Sequence, residues 1–315
     1  MQIFKRFFTV VMCLVVLNLT ACQPPVLELT PTPKPTATLE PTPTPAPKEF
    51  NGETAFAHIE NQVALNPRAV GTAGHEKLRA YILKNLEAAG WQTEVQEFVV
   101  NGHTAYNLIG KLAVGKGQPI VLGAHYDARL KADNDPDLAQ REQPYPAAND
   151  GGSGVAVLLE LARTLDAEKL QNEVWLAFFD AEDNGNIDAW DWILGSGYMA
   201  ENLTIQPKVV IVVDMVGDAD QQLYLEQSST PTWRDEIWAI AAELGYSQWF
   251  INEPRWNMTD DHTPFLRKGI AAVDIIDFDY PHWHTTADTP DKVSGDSLER
   301  VGRTLEVLLE ENRQP

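Results

Sequence analysis

Three continuous runs of apolar residues most constrain the fold of this chain. They are of strand length and occupy residues 119–124, 174–179 and 209–213. Unbroken apolar runs of this kind are typical of strands covered on both faces, as in parallel sheets between helices. Segments with helical periodicity lie before, between and after them, at residues 75–89, 153–165, 232–244 and 297–310. The sequence therefore predicts an α/β fold with a mostly parallel, mixed central sheet sandwiched by helices.

A hairpin is predicted ahead of the three runs. Residues 91–100 and 105–112 have strand character and flank Asn101-Gly102. This dipeptide favours a tight turn between antiparallel strands, because both residues tolerate positive φ. We therefore expect two antiparallel strands to precede the parallel ones.

The start of the chain has the pattern of an export signal. Lys5 and Arg6 precede an apolar run at residues 7–17, and Leu-Thr-Ala-Cys follows at residues 19–22. The run is shorter than the roughly 20 apolar residues of a transmembrane helix, and the residues after it resemble the bacterial lipoprotein box. We predict that residues 1–21 are a signal peptide and that lipidated Cys22 anchors the protein in the bacterial cell envelope, facing outward or into the periplasm. An ordinary signal peptide with an incidental cysteine is the alternative.

Residues 22–48 have the composition of a tether. They are rich in Pro and Thr, and the dipeptide Thr-Pro recurs. Such a segment buries too little apolar surface to fold, and its prolines favour an extended chain of about 3.1 Å per residue. We expect a spacer between the membrane and one folded domain at residues 49–315.

The cysteines and the net charge exclude several classes of function. Cys13 lies in the predicted signal and Cys22 is committed to lipid, so no thiol remains for a disulfide, a nucleophile or a thiolate metal site. The formal net charge of −21 repels phosphate backbones, which argues against nucleic acid as a partner. An acidic surface suits cationic peptide amines, although solubility explains it equally well.

Acidic or imidazole side chains follow the predicted strands where they end. The first run leads to His125, the second to residues 180–183, the third to Asp214, and a fourth strand to Asp277 with His284 beyond. Taken singly, an Asp can cap a turn and a His can be an ordinary hydrogen-bonded group. Together they converge at the carboxyl edge of the sheet, where so many carboxylates repel one another unless a cation binds. The pattern therefore predicts a metal site built from His, Asp and Glu.

Two further segments belong near this edge. Asp150 lies in a glycine-rich loop at residues 147–154, just before a predicted helix. It is either a helix cap or a metal carboxylate. Residues 130–145, rich in Asp and Pro, predict a long loop close to the site.

The set of motifs, in this order, resembles the M28 metallopeptidase superfamily and spans nearly the whole predicted domain. Within the superfamily, the closer similarity is to the glutaminyl-peptide cyclotransferases, particularly the bacterial ones. The general motifs are His125-x-Asp127, Asn149-Asp150-Gly151-x-Ser153-Gly154, Phe178-Phe179-Asp180-Ala181-Glu182-Asp183, Gly195-Ser196, Asp214-Met215-Val216-Gly217 and Trp283-His284-Thr285. The segments that carry the closer similarity include Trp192-x-Leu194-Gly195-Ser196, Asp260-Asp261-His262 and Ile275-Ile276-Asp277.

The resemblance implies a zinc enzyme that converts the N-terminal Gln of peptides or proteins to pyroglutamate and releases ammonia. One Zn²⁺ would be bound by Asp150, Asp183 and His284. Asp183 replaces a glutamate common in both groups of the superfamily, a departure that the bacterial cyclotransferases share. Carboxylate ligation stays intact.

The resemblance also implies roles for the residues around the zinc ligands. Glu182 would be the acid and base of the reaction, and Asp214 and Asp260 would be hydrogen-bonding partners in the same step. Trp192 and Trp283 would line the substrate pocket, although either indole could equally serve packing alone.

Other functions of the same scaffold remain open. An M28-type aminopeptidase would bind a second zinc with His125 and Asp214, share Asp150 between the two ions, and use Glu182 to activate water. A peptide-binding module that has lost catalysis is a third possibility. A serine hydrolase is disfavoured, because Gly195-Ser196-Gly197 lacks the first glycine of the nucleophile elbow.

Overall fold

A computed structural model of the protein describes residues 48–315. The predicted signal segment, Cys22 and all of the predicted tether except its last residue lie outside the described residues. The division into signal, tether and one catalytic domain therefore stays a prediction. Within residues 48–315, every helix is too short or too polar to cross a membrane.

The centre of the fold is a six-stranded mixed sheet with the order β1-β2-β4-β3-β5-β8. β1 pairs with β2 and β2 with β4 in antiparallel fashion, whereas β4-β3, β3-β5 and β5-β8 are parallel. A separate parallel pair joins β6 and β7. The strands are β1 (Gln92–Val100), β2 (His103–Leu112), β3 (Ile120–His125), β4 (Val174–Phe179), β5 (Val209–Asp214), β6 (Leu223–Leu225), β7 (Phe250–Pro254) and β8 (Ala272–Ile276).

Helices cover both faces of this sheet. They are α1 (Gly52–Val63), α2 (Ala73–Ala88), α3 (Gly152–Thr164), α4 (Leu194–Asn202), α5 (Pro231–Glu243), α6 (Thr263–Arg267) and α7 (Gly295–Glu310). Two of the predicted helices begin at a side-chain cap, because Thr72 accepts a hydrogen bond from the amide of His75 and Ser294 accepts one from Asp296. The predicted α/β architecture is confirmed.

The three apolar runs become β3, β4 and β5, which are adjacent at the centre of the sheet and buried along their whole length. Alternate residues point to opposite faces. Leu122 and Ile211 pack in the larger core with α1, α3 and α7, whereas Val121 and Val210 pack in a smaller core with α4 and α6. Burial on both faces explains why these strands lack the alternation of polar and apolar residues that a half-exposed strand shows.

The predicted hairpin is also present, and it forms the antiparallel side of the sheet. Asn101 and Gly102 both have positive φ, at 48° and 77°, as a tight turn between two strands requires. β1 is the edge strand of the sheet and is largely exposed. The parallel strands β4, β3, β5 and β8 therefore form the other side of the sheet. Their carboxyl ends carry the site described next.

Candidate active site

The predicted site residues come together at the carboxyl edge of the parallel strands. His125 is the last residue of β3 and Asp214 the last of β5, while Asp183 follows β4. Asp150 lies just before α3, and His284 lies in the segment after β8. All five side chains are buried. The sheet order thus brings together residues that are far apart in sequence.

Two groups of three side chains in the described residues have the spacing of a metal site. One consists of Asp150, Asp183 and His284, and the other of His125, Asp150 and Asp214. Asp150 belongs to both, and each of its carboxylate oxygens faces a different imidazole. Its Oδ1 lies 3.0 Å from Nε2 of His125, and its Oδ2 lies 3.3 Å from Nε2 of His284. Asp150 therefore has the geometry of a bridging ligand.

The chemistry of these groups fits zinc. Among the described residues, Nε2 of His125, Oδ2 of Asp183 and Oδ1 of Asp214 are buried and have no well-oriented hydrogen-bond partner. Buried polar atoms without partners destabilise a protein and are rare. Imidazole nitrogen and carboxylate oxygen are ligands that zinc accepts, and a bound cation would satisfy all three atoms.

The pKa values of the first group show how strongly its members interact. Burial lowers the pKa of His284, but Asp183 and Asp150 raise it to about 9. Burial raises the pKa of Asp183, and the charge of Asp150 adds to the effect. The two carboxylates therefore favour a proton on His284, and binding of zinc by this imidazole would require the loss of that proton.

Asp150 is held in place by Asp288, a residue that the sequence analysis missed. The buried carboxylate of Asp288 accepts hydrogen bonds from the amides of Asn149 and Asp150, at 2.9 and 3.2 Å. It also accepts bonds from the hydroxyls of Tyr145 and Tyr280, at 2.8 and 2.6 Å. No local pattern singles out Asp288, because its partners lie more than a hundred residues away or belong to an irregular segment.

Glu182 lies in a sharp turn directly after β4. The preceding residue, Ala181, has a φ of 56°. The carboxylate of Asp127 accepts hydrogen bonds from the amides of Glu182 and Asp183, at 3.0 and 3.4 Å. Asp127 was part of a recognised motif but had no predicted role, and here it orients the turn that carries both side chains.

The environment of Glu182 favours its protonated form. Burial raises its pKa well above the ordinary value, and the charges of Asp183, Asp261 and Asp260 add to this effect, whereas His125 opposes it. Oε2 of Glu182 lies 3.9 Å from Nδ1 of His125. Glu182 belongs to neither metal group, so its carboxylate is free to exchange protons.

Every predicted site residue except His125 lines one cavity of about 220 Å³. Its polar side is formed by carboxylates and His284, and its other side by aromatic and apolar residues. The sequence analysis did not single out Met258 or Phe278, because an apolar residue in a loop carries no signal of its own. The lining residues are Asp150, Glu182, Asp183, Trp192, Asp214, Met215, Met258, Thr259, Asp260, Ile276, Phe278, Trp283 and His284.

The two predicted pocket tryptophans both stack with His284. The ring of Trp283 lies 3.9 Å from that of His284 at 27°, and the ring of Trp192 lies 6.1 Å away at 8°. His284 has a backbone φ of 56°. A residue other than glycine adopts this angle only when the surrounding structure holds it there. The same imidazole is thus a wall of the cavity and a candidate metal ligand.

The long loop after β3 is fastened to the site by Arg129. This buried guanidinium pairs with both carboxylate oxygens of Asp133 and donates to the backbone carbonyls of Asp183 and Gly185. It also lies over the ring of Trp192, 4.9 Å from the centroid. The loop therefore fixes a predicted zinc ligand and a pocket wall at once.

We expect Arg129→Lys to weaken zinc binding by about ten- to a hundredfold, the range found when groups that orient metal ligands are lost. A lysine cannot pair with Asp133 and reach both carbonyls together. Zinc affinity is measured by competition with a chelator. The matched control is Lys131→Gln, which removes a neighbouring cation whose partner Glu142 is exposed. Equal affinity in Arg129→Lys and the parent would show that Asp183 is held without this guanidinium.

The fold and the site together define a zinc-exopeptidase-like α/β protein with two groups of His and Asp side chains, spaced as in a metal site, at the carboxyl ends of its strands. The chain belongs to peptidase family M28, whose model matches residues 107–309. This confirms the resemblance seen in the sequence.

Individual relatives give a finer comparison. The chain is 26% identical over 288 residues to a glutaminyl-peptide cyclotransferase of Drosophila melanogaster, covering 78% of each chain. The structure is similar to that of Tannerella forsythia glutaminyl cyclase, with a TM-score of 0.79, 34% identity, and coverage of 83% of this chain and 99% of that one. A leucine aminopeptidase precursor from Bacteroides thetaiotaomicron also has a TM-score of 0.79, with 32% identity over 83% of this chain and 97% of that one.

Proposed function

We propose that this protein is a zinc-dependent glutaminyl-peptide cyclotransferase, which converts the N-terminal Gln of peptides to pyroglutamate and releases ammonia. The observation that carries the proposal is the cavity in which Glu182, the first metal group and two indoles meet. Its volume of about 220 Å³ lies below the roughly 300–1,000 Å³ of ordinary ligand pockets, which suits a single N-terminal residue. The similarity to glutaminyl cyclotransferases in sequence and in structure supports the same conclusion.

The residues that would hold the zinc ion are Asp150, Asp183 and His284. When bound there, zinc supplies Lewis-acid polarisation of the side-chain amide carbonyl of the substrate. Asp288 and Arg129 keep the first two of these ligands in place through the backbone contacts described above.

Glu182 moves the proton in the proposed reaction. The α-amine nitrogen of the substrate attacks its own γ-carbonyl carbon, and the carboxylate of Glu182 accepts the proton that the amine loses. The new C–N bond closes the five-membered ring. The bond to the amide nitrogen then breaks, and Glu182 returns the proton to the departing NH₂ group, which leaves as ammonia. Glu182 is therefore again an unprotonated carboxylate at the end of the reaction.

The other side chains of the cavity position the substrate. Asp214 and Asp260 line the same cavity as Glu182, and both are buried. In the proposed reaction they accept hydrogen bonds from the amine and the amide of the substrate. Trp192 and Trp283 stack against His284 and exclude water from the reacting amide.

The alternative is an M28-type aminopeptidase with two zinc ions. The observation that favours it is the second group of ligands, in which Nε2 of His125 lies 3.0 Å from Asp150 and 3.3 Å from Asp214. The structural similarity to a leucine aminopeptidase precursor agrees with this alternative. Glu182 would then act on water instead of on the substrate amine.

Two peptides separate these functions. The zinc-loaded protein is incubated with a glutaminyl peptide and with a leucyl peptide of the same remaining sequence, and ammonia and free amino groups are followed separately. We expect ammonia from the glutaminyl peptide together with loss of its free amine. Release of leucine without ammonia would overturn the proposal in favour of the aminopeptidase, and turnover of neither peptide would indicate a binding module.

We also propose that the protein is exported and anchored to a bacterial membrane by lipid on Cys22. The charged, apolar and small-residue pattern of residues 5–22 supports this, as does the Pro and Thr composition of residues 22–48. We expect Cys22→Ser to move the protein from the membrane fraction to the soluble fraction and to abolish labelling by radioactive fatty acid. Membrane association that survives the substitution would contradict the lipid anchor.

A further inference from the structure

A second and larger cavity lies beside the active-site cavity. It has a volume of about 460 Å³, and we call it the β1–α4 groove. Trp192 lines both cavities, so the two adjoin at this residue. The residues that line the groove come from the end of β1 (Phe98, Val99, Val100), from Trp192 through α4 (Ile193, Leu194, Gly197, Tyr198, Ala200, Glu201) and from α6 and the residue after it (Pro264, Arg267, Lys268).

The middle of the groove is apolar and aromatic. The rings of Phe98 and Tyr198 stack with centroids 4.8 Å apart, and Val100 and Leu194 pack in the same apolar cluster. Phe98 is itself buried, so the exposed apolar surface continues into the core. An apolar surface of this kind next to an active site is typical of a ligand-binding groove.

Gly197 keeps the groove open. It lies inside α4, where glycine is less favourable than alanine, and its φ is not in the left-handed region that would require glycine. A Cβ at this position would meet no atom within 4 Å. Neither the backbone nor the packing therefore explains the glycine, whereas a larger side chain would fill the groove.

One end of the groove carries a cation. Arg267 is exposed and forms no salt bridge with any carboxylate of residues 48–315, whereas the adjacent Lys268 pairs with Glu201 at 2.5 Å. This end of the groove suits a carboxylate.

We propose that the β1–α4 groove binds the part of the substrate that follows its N-terminal residue, and that it selects peptides with an apolar and an acidic side chain there. The inference rests on the proposed function, because it takes the active-site cavity to hold the N-terminal residue. The peptide passes from that cavity across the edge of Trp192. Its apolar side chain packs on the stacked rings of Phe98 and Tyr198, and its carboxylate pairs with Arg267.

Binding of two peptides of equal length tests this selectivity. The peptides are Gln-Ala-Phe-Glu-amide and Gln-Ala-Gly-Gln-amide, titrated into the zinc-loaded protein carrying Glu182→Gln to prevent turnover. We expect the first peptide to bind about tenfold more tightly, which corresponds to about 1.4 kcal/mol. Adding Gly197→Phe should reduce the difference to within about twofold, whereas the matched control Gly197→Ala should keep it, since a methyl group leaves most of the groove open.

A second substitution separates the charge from the shape of the groove. Arg267 is exposed, so Arg267→Glu should not disturb the fold. We expect the parent to prefer Gln-Ala-Phe-Glu-amide over Gln-Ala-Phe-Gln-amide, and the substitution to reverse this preference. This comparison decides the matter if Gly197→Phe does not fold. Equal affinities for all three peptides, or a preference that survives both substitutions, would overturn the inference. Failure of the proposed function is recognised separately, because the unsubstituted enzyme would then release no ammonia from any glutaminyl peptide.

Discussion

Glu182→Gln will lower kcat for ammonia release from glutaminyl peptides by roughly 10²–10⁴-fold, the usual contribution of a general acid or base. The amide has the size of the carboxylate, but it cannot accept the proton of the attacking amine. Glu182 belongs to neither metal group, so zinc content should stay equal to that of the parent. The measurement is ammonia release at saturating substrate, together with zinc per chain and thermal unfolding.

The control for this prediction is Glu168→Gln, which makes the same change on the exposed surface, far from the cavity residues. It should leave kcat unaltered. If Glu182→Gln retained more than about a tenth of the parent rate with normal zinc content, another group would carry the proton, and the role proposed for Glu182 would be wrong.

Asp150→Ala will remove zinc binding, because Asp150 is the one residue common to both metal groups of the described residues. Loss of residues that only orient ligands weakens binding by about ten- to a hundredfold, so loss of the ligand itself should exceed a hundredfold. The rise in melting temperature that zinc gives the parent should disappear as well, since a ligand stabilises the folded state only as far as it binds it. Zinc titration and thermal unfolding with and without zinc measure both effects.

His125→Ala is the informative companion of Asp150→Ala. It removes a ligand from the second group and leaves Asp150, Asp183 and His284 in place. If the protein works with one zinc, His125→Ala should still bind it. Zinc binding by Asp150→Ala at the parent's affinity would contradict the assignment of the site. A fall from two zinc ions per chain in the parent to one in His125→Ala would favour the aminopeptidase.

The features that sequence predicted are those encoded by neighbouring residues. The runs that became β3, β4 and β5 are recognisable because burial on both faces leaves no polar position in them. The Asn101-Gly102 turn is recognisable because few dipeptides tolerate two positive φ angles. The polar residues at the strand ends followed from these elements, since a parallel sheet brings its carboxyl ends to one edge.

The features that sequence did not predict depend on distant contacts. Asp288 accepts a hydrogen bond from the amide of Asp150, which is 138 residues away in sequence. Arg129 donates to the carbonyl of Asp183, which is 54 residues away. Neither contact leaves a periodic trace, because each is a single side chain in an irregular segment. The β1–α4 groove was missed for a related reason: an absent side chain at Gly197 acquires meaning only when its surroundings are known.

The assembly of the metal groups from separate strands has a consequence for folding. His125, Asp214 and the residues after β4 and β8 become neighbours only once β4, β3, β5 and β8 have paired in their final order. Parallel pairings of this kind form slowly, because long loops must close before any contact is gained. We therefore expect zinc to bind only after these strands have paired. Zinc that binds after the folding transition state would lower the rate of unfolding and leave the rate of folding nearly unaltered.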